Sequence, residues 1–216
     1  MLVKNWMNKA LVIIKPNTSV IKAQILLQEK HISHLPVMEK EKLLGIITER
    51  DIKRLLVPSE TLLVKNIMTH DPVTVPWDYT IGEAAEILLE HDISALPVID
   101  PNGKVTGIIT KGDLFRVLVP LTGVGKKGFQ FALLLADRPG AIKAITDIIR
   151  ENGGRIMSVL TSYDDAPKGS LKLYLRMYGL EREKLKPLKD KISKKASLLY
   201  IVDRRENTRE IFANDA

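Results

Sequence analysis

Two copies of Thr-x-x-Asp carry the clearest chemistry in this chain: Thr48 with Asp51 in "GIITERDIKRLL" (45 to 56), and Thr110 with Asp113 in "GIITKGDLFRVL" (107 to 118). Each follows a short apolar run that reads as a buried strand, and each opens a helix at the threonine. A threonine N-cap with an acid three places on satisfies backbone donors that the helix itself cannot, worth about 1 kcal/mol, and this needs no ligand. The same unpaired amides, with the positive end of the helix dipole, also attract anions. Capping and binding are compatible, and the residues alone leave both open.

Other residue types with chemical potential lack the company they need. His31 and His34 stand at i, i+3, a spacing that could seat a metal, but no third ligand accompanies them. His70 and His91 are isolated, and Asp164-Asp165 sits in a loop beside Pro167. "GVGKKG" (123 to 128) lacks the spacing and the following Ser or Thr of a phosphate-binding loop. With no cysteine there is no thiol catalysis and no disulfide. No catalytic constellation emerges, and no enzyme is expected; nor is a metal site.

The elements that must position the Thr-x-x-Asp pairs come in two copies. At a shift of 61, residues 3 to 37 match residues 64 to 98 at 13 of 35 positions, where chance gives about two. "VKNWM" returns as "VKNIM" and "ISHLPV" as "ISALPV"; after one extra residue at "DPNGK", seven of the 14 positions from Leu43 to Leu56 recur. Each copy reads as an extended segment ("LVIIKP", "PVTVP"), a helix capped by Ser19 or Thr80, two strands and a second helix. Thr80 with Glu83 makes a capping box. A β-α-β-β-α unit of this size is small for a core of its own, so the expectation is two pseudo-symmetric halves, 1–60 and 61–120, in one domain.

Beyond Pro120 the sequence changes. Residues 121–128 read as a Gly-rich linker. Then come strand "FQFALLLA", turn "DRPG", helix 141 to 152, strands "RIMSVLTSY" and "SLKLYLRMY", a basic helix interrupted by Pro187, and strand "SLLYIVD". That order, β-α-β-β-α-β over 129–205, is the ferredoxin-like pattern; residues 206–216 read as a frayed tail. The overall fold class is α/β (α+β).

Composition sets the outer limits. A 45% hydrophobic, 27% charged chain of 216 residues describes folded domains. The apolar runs are too short for a membrane span, and nothing at the start reads as a signal peptide, so a cytoplasmic location is expected. The net charge of +7 raises a nucleic-acid reading. Its most basic stretch, 181 to 195, holds seven Lys or Arg against three acids, but reads as a solvated helix face with no interleaved aromatics.

The paired "ISxLPV" and "GIITxxD" blocks resemble a tandem CBS-domain pair, a Bateman module, over residues 1 to 120. "LADRPGAIKAITDIIRENGGRI" (135 to 156) resembles the start of an ACT domain. Together they resemble the acetoin-utilisation type of CBS–ACT regulatory protein over nearly the whole chain. The CBS resemblance implies an adenosine-containing ligand (AMP, ADP, ATP or S-adenosylmethionine) in clefts between the repeats. It implies ribose contacts for Asp51 and Asp113, and phosphate contacts for Thr48, Thr110, Arg54 and Arg116. Backbone near Ile14 and Val75 would meet adenine, with His34, Pro36, Ala95 and Pro97 lining the base pocket. Lys111-Gly112 stands where the first copy has Glu49-Arg50, which favours the Thr110–Asp113 cleft for a charged phosphate.

The ACT resemblance implies a homodimer, and an amino-acid site at Asp137, Arg138, Pro139 and Gly140 with Asn152 and Gly153. The resulting expectation is a non-catalytic regulator acting on a target protein. The competing readings are a basic nucleic-acid-binding regulator and a structural interaction protein with vestigial clefts.

Overall fold

Local signals build each repeat in the same way, and the computed structural model describes them over residues 1–55 and 61–212. The chain forms two compact units, Met1–Val117 and a second from Leu118 onward. In the first, Ser19 Oγ caps α1 (Val20–Glu29), accepting from the Lys22 amide. Thr80 and Glu83 close the capping box of α3 (Ile81–Glu90). Hairpins β1 (His34–Glu39)/β2 (Lys42–Thr48) and β5 (Ala95–Ile99)/β6 (Val105–Thr110) follow, leading into α2 (Glu49–Lys53) and α4 (Lys111–Thr122). Leu56, at the end of the first quoted stretch, lies outside the described residues, as do 57–60.

The opening strand differs between the copies. In the second it is β4 (Val75–Pro76), parallel to β5, with the Trp77 amide continuing the ladder to Ile99 O. In the first, "LVIIKP" makes only one parallel bridge, Ile14 with Val37. The residue that should continue it is Pro16, which has no N–H to give.

The repeated words "VKNWM" and "VKNIM" lie outside the β-α-β-β-α unit and exchange places. Val64 and Met68 enter the first core beside Ile14, Leu35 and Ile47, while Val3 and Met7 enter the second beside Val75, Leu96 and Ile109. Strand β3 (Thr69–His70) then pairs with β2, and Asn8 bridges Ile108 in the matching place. Both crossings need a glycine. A β-carbon on Gly45 would stand 2.6 Å from Thr69 O, and one on Gly107 2.8 Å from Asn8 O. Ile46, Ala95 and Ile108 form a small apolar cluster where the repeats meet.

The second unit shows the expected β-α-β-β-α-β order: β7 (Phe129–Ala136), α5 (Ala141–Glu151), β8 (Arg155–Ser162), β9 (Ser170–Tyr178), α6 (Leu185–Ser193) and β10 (Ser197–Asp203). Phe129, Phe131, Leu133 and Leu135 alternate with Leu171, Leu173, Leu175 and Met177 on one sheet face, under Ile145, Ile149, Leu188 and Ile192 of the helices. Pro187 does not interrupt α6. It occupies the first turn, where amides lack helical partners in any case.

Two boundaries depart from the sequence reading. Helix α4 runs through Pro120 to Thr122, into the expected linker, and stops at Gly123 with φ +68. The expected tail contributes a fifth strand, β11 (Thr208–Ile211), so the sheet order is β11-β10-β7-β9-β8. A turn makes this possible: Asp203 accepts from the Arg205 amide, and Asn207 adopts a left-handed φ of 55°. Lys189 then holds Glu210 at 2.7 Å. Residues 213–216 lie outside the described residues.

Candidate functional site

The two Thr-x-x-Asp pairs fold alike but end differently. Asp51 Oδ2 accepts from both the Thr48 amide (2.8 Å) and the Thr48 hydroxyl (2.7 Å), and Thr48 Oγ1 accepts from the Asp51 amide. Asp113 Oδ2 repeats this with Thr110, at 3.0 and 2.7 Å. The second carboxylate oxygens part company. Asp113 Oδ1 takes the Arg116 guanidinium at 3.3 Å, and the residue is buried. Asp51 Oδ1 accepts no hydrogen bond from the described residues.

Asp51 faces a cavity of about 430 Å³ built from both repeats. Thr48, Arg50 and Arg54 come from one side, Ser94, Ala95 and Lys111 from the other, and Thr69, Asp71, Pro72 and Val73 from the exchanged segment. His34 Nε2 meets Ser94 Oγ at 2.7 Å across the repeat boundary. Burial lowers the His34 pKa from its ordinary value, and the negative charge of Asp51 opposes that shift. Among the described residues Arg50, Arg54 and Lys111 have no carboxylate partner, whereas Glu49 is paired with Lys53 at 2.7 Å. The lining therefore offers carboxylate and hydroxyl acceptors beside uncommitted cations.

Lys111 is the instructive residue. Its place in the sequence assigns it to its own copy, yet it lines the cavity of Thr48 and Asp51. The pairing of the repeats brings the start of α4 to the cavity of the first repeat. Of the other expected residues, His34, Arg54 and Ala95 line this cavity. Thr110, Asp113 and Arg116 lie outside it; Val75, Pro36 and Pro97 are buried in the sheets; and Ile14 borders a separate groove along α1. Arg50, Asp92, Ser94 and the group Thr69, Asp71, Pro72 and Val73 were not singled out from sequence. The last group follows "VKNIM", whose recurrence shows duplication but not the exchange between repeats that brings it here.

The second unit has its own cavity, of about 450 Å³, lined by Asp137, Arg138, Pro139 and Gly140 with Lys143, Thr161 and Tyr163. Gly140 holds φ +83 and starts α5. Asn152 and Gly153 lie at the far end of α5 and do not line it. Asn152 instead donates to Ile148 O and accepts from Lys191. Among the described residues no three His, Cys, Asp or Glu side chains converge for a metal, and no helix is long and apolar enough to cross a membrane.

These features coincide with a family match. The CBS-domain model matches residues 3–58 and 64–120, together just over half of the chain, and the chain belongs to the CBS-domain family. The CBS domain pair of protein MJ0100, solved with 5′-methylthioadenosine and S-adenosyl-L-methionine, is 31% identical over 58% of this chain and 98% of its own, with a TM-score of 0.52. The structure of CBSX2 with AMP is 30% identical over 58% of this chain and 98% of that one, TM-score 0.50. Among curated proteins, inosine-5′-monophosphate dehydrogenase of Korarchaeum cryptofilum is 38% identical over 112 residues, 52% of this chain but 23% of the enzyme. Homoserine O-acetyltransferase of Methanohalobium evestigatum is 40% identical over 107 residues, 49% of this chain and 22% of the enzyme. The chain thus spans less than a quarter of these two relatives.

Proposed function

We propose that the chain is a non-catalytic regulatory sensor whose CBS pair binds an adenosine-containing ligand in the cavity of Thr48 and Asp51. The observation that carries this is the Asp51 carboxylate: the residue lines a two-repeat cavity, one of its oxygens is fixed by Thr48, and the other has no partner among the described residues. A carboxylate so oriented suits a ribose diol, and Arg50, Arg54 and Lys111 suit phosphates. MJ0100 with its adenosine derivatives and CBSX2 with AMP support the ligand class. Because both repeats line the cavity, a ligand favours the inter-repeat geometry it fits best, by no more than its differential affinity.

Titration calorimetry of the full chain with AMP, ADP, ATP and S-adenosylmethionine tests the reading. Micromolar to sub-millimolar binding of at least one is expected, and silence of all four at millimolar concentration overturns it.

The second unit supports a further reading as an ACT-type domain in a homodimeric, cytoplasmic protein, which extends to the acetoin-utilisation type of regulator. Four of the residues expected to bind an amino acid, Asp137 to Gly140, line one cavity with Lys143 and Tyr163. A thermal-shift screen of the twenty amino acids, repeated on Arg138→Ala, checks this. An amino-acid shift that the variant retains in full places the ligand elsewhere.

A further inference from the structure

The net charge is confined to the second unit. Residues 1–117 hold 14 Lys or Arg and 14 Asp or Glu, whereas residues 118–216 hold 19 and 12. On α5 and α6 much of this charge is already paired: Lys143 and Arg150 with Asp147, and Lys189 with Glu210. The sheet face away from these helices is different. The register of β9 sets Lys172, Tyr174, Arg176 and Tyr178 along it, cation and aromatic alternating down the central part of the sheet.

Two rows cross this face. Tyr174 lies opposite Ala132 and Leu160, and Ala132 opposite Tyr200, so the Tyr174 and Tyr200 rings stand 6.5 Å apart. Arg176 lies opposite Gln130 and Ser158, with Val202 beyond Gln130 and Arg209 beyond Val202. No carboxylate among the described residues pairs with Lys172, Arg176, Arg204 or Arg209. Arg176 and Arg204 instead face each other's charge, and burial together with Arg204 lowers the Arg176 pKa from the ordinary arginine value. An anion between these two like charges would relieve their repulsion. The acids that adjoin these cations in sequence are turned to other partners, Asp203 to Arg205, Glu206 to Arg182 and Glu210 to Lys189, while Asp164 and Asp165 lie in the β8–β9 loop beyond Ser162, which pairs with Lys172.

We infer that this sheet face binds single-stranded nucleic acid, with bases stacking on Tyr174 beside Tyr200 and the phosphate backbone passing the Arg176–Arg204 pair. The physics is that of any sequence-tolerant single-strand site: aromatic platforms for the bases between cations for the phosphates. An edge-to-edge row of strands supplies a flat support that a double helix does not match. The basic helix α6, more prominent in sequence, lacks the aromatics and lies on the opposite face.

The test is fluorescence anisotropy of the full chain with labelled 20-residue oligo(U) and oligo(dT), and with a duplex of equal length, between 50 and 200 mM salt. Single strands are expected to bind, and affinity to fall steeply with salt. Tyr174→Ala is expected to weaken binding by about tenfold, and the Arg176→Gln/Arg204→Gln double variant to weaken it and flatten the salt dependence. Lys186→Gln on α6 with Lys194→Gln just past its end serves as the control and is expected to change little. Absence of binding at 50 mM salt overturns the inference. So does duplex binding as tight as single-strand binding, or loss confined to the α6 variant. A dimer in sedimentation that Tyr174→Ala dissolves also overturns it, because the face then belongs to a second copy. Urea midpoints on each variant distinguish lost contacts from a lost fold.

Discussion

A β-carbon added to Gly45 would lie 2.6 Å from the Thr69 carbonyl oxygen and 2.7 Å from Met68 Sδ, so the first repeat's second strand can accept the exchanged segment only as glycine. Gly107 stands in the same relation to Met7 and Asn8. The obstacle in each case includes backbone, which cannot rotate away. Gly45→Ala and Gly107→Ala are therefore each expected to destabilise the first unit by about 1–3 kcal/mol, the range for overpacking. Urea denaturation followed by circular dichroism measures this. Gly103→Ala is a useful contrast, since no neighbour approaches its would-be β-carbon and only its φ of +77° opposes substitution.

That pair of glycines also shows what was readable in advance. The letter was visible twice, in "GIIT", but its cause was a contact with residues outside the repeat unit as read, Met68 and Thr69 for Gly45 and Met7 and Asn8 for Gly107. Thr48 with Asp51, and Thr110 with Asp113, were legible because capping chemistry is local. The cavity wall of Thr69, Asp71, Pro72 and Val73 was not, because strand exchange leaves no periodicity to read. Strand β11 was hidden for a related reason. Four residues of mixed polarity read as tail until a turn at Asn207 brings them to β10. Pro16 against Trp77 is the reverse case, where one letter accounts for the difference between a bridge and a strand.

The two Thr-x-x-Asp copies should respond unequally to the same mutation. Asp51→Ala is expected to lower affinity for AMP by about ten- to a hundredfold, the scale of one or two hydrogen bonds to a charged group. Asp113→Ala should leave the Thr48–Asp51 cavity within about threefold of wild type, since Asp113 is occupied by Arg116 and does not line it. Calorimetry on both variants decides. Equal losses would mean that the ligand uses both clefts or neither carboxylate.

Lys111 supplies a test of how the repeats cooperate. It comes from the second repeat yet lines the first repeat's cavity. Lys111→Gln is expected to weaken a phosphorylated ligand by about two- to fivefold, as befits a partly exposed charge pair, and to leave adenosine unaffected. The deficit should shrink as salt is raised. Competition binding of ATP against adenosine measures it, and an equal loss for both ligands would assign Lys111 a packing role.

His34 makes the first unit's stability depend on pH in a defined direction. Its folded pKa lies below the ordinary 6.5, chiefly because burial disfavours the imidazolium. As pH falls, the unfolded chain takes up that proton first, and stability declines with it. The contribution is fully present above about pH 7.5, begins to fade near 6.5, and is spent once pH passes below the folded value. Asp51 opposes the shift but does not cancel it. Urea midpoints at pH 7.5, 6.5 and 5.5 should therefore fall more steeply in wild type than in His34→Gln, which keeps a polar group near Ser94 but cannot titrate. Parallel curves would show that His34 protonates as easily folded as unfolded, and that its contact with Ser94 at 2.7 Å does not favour the neutral ring.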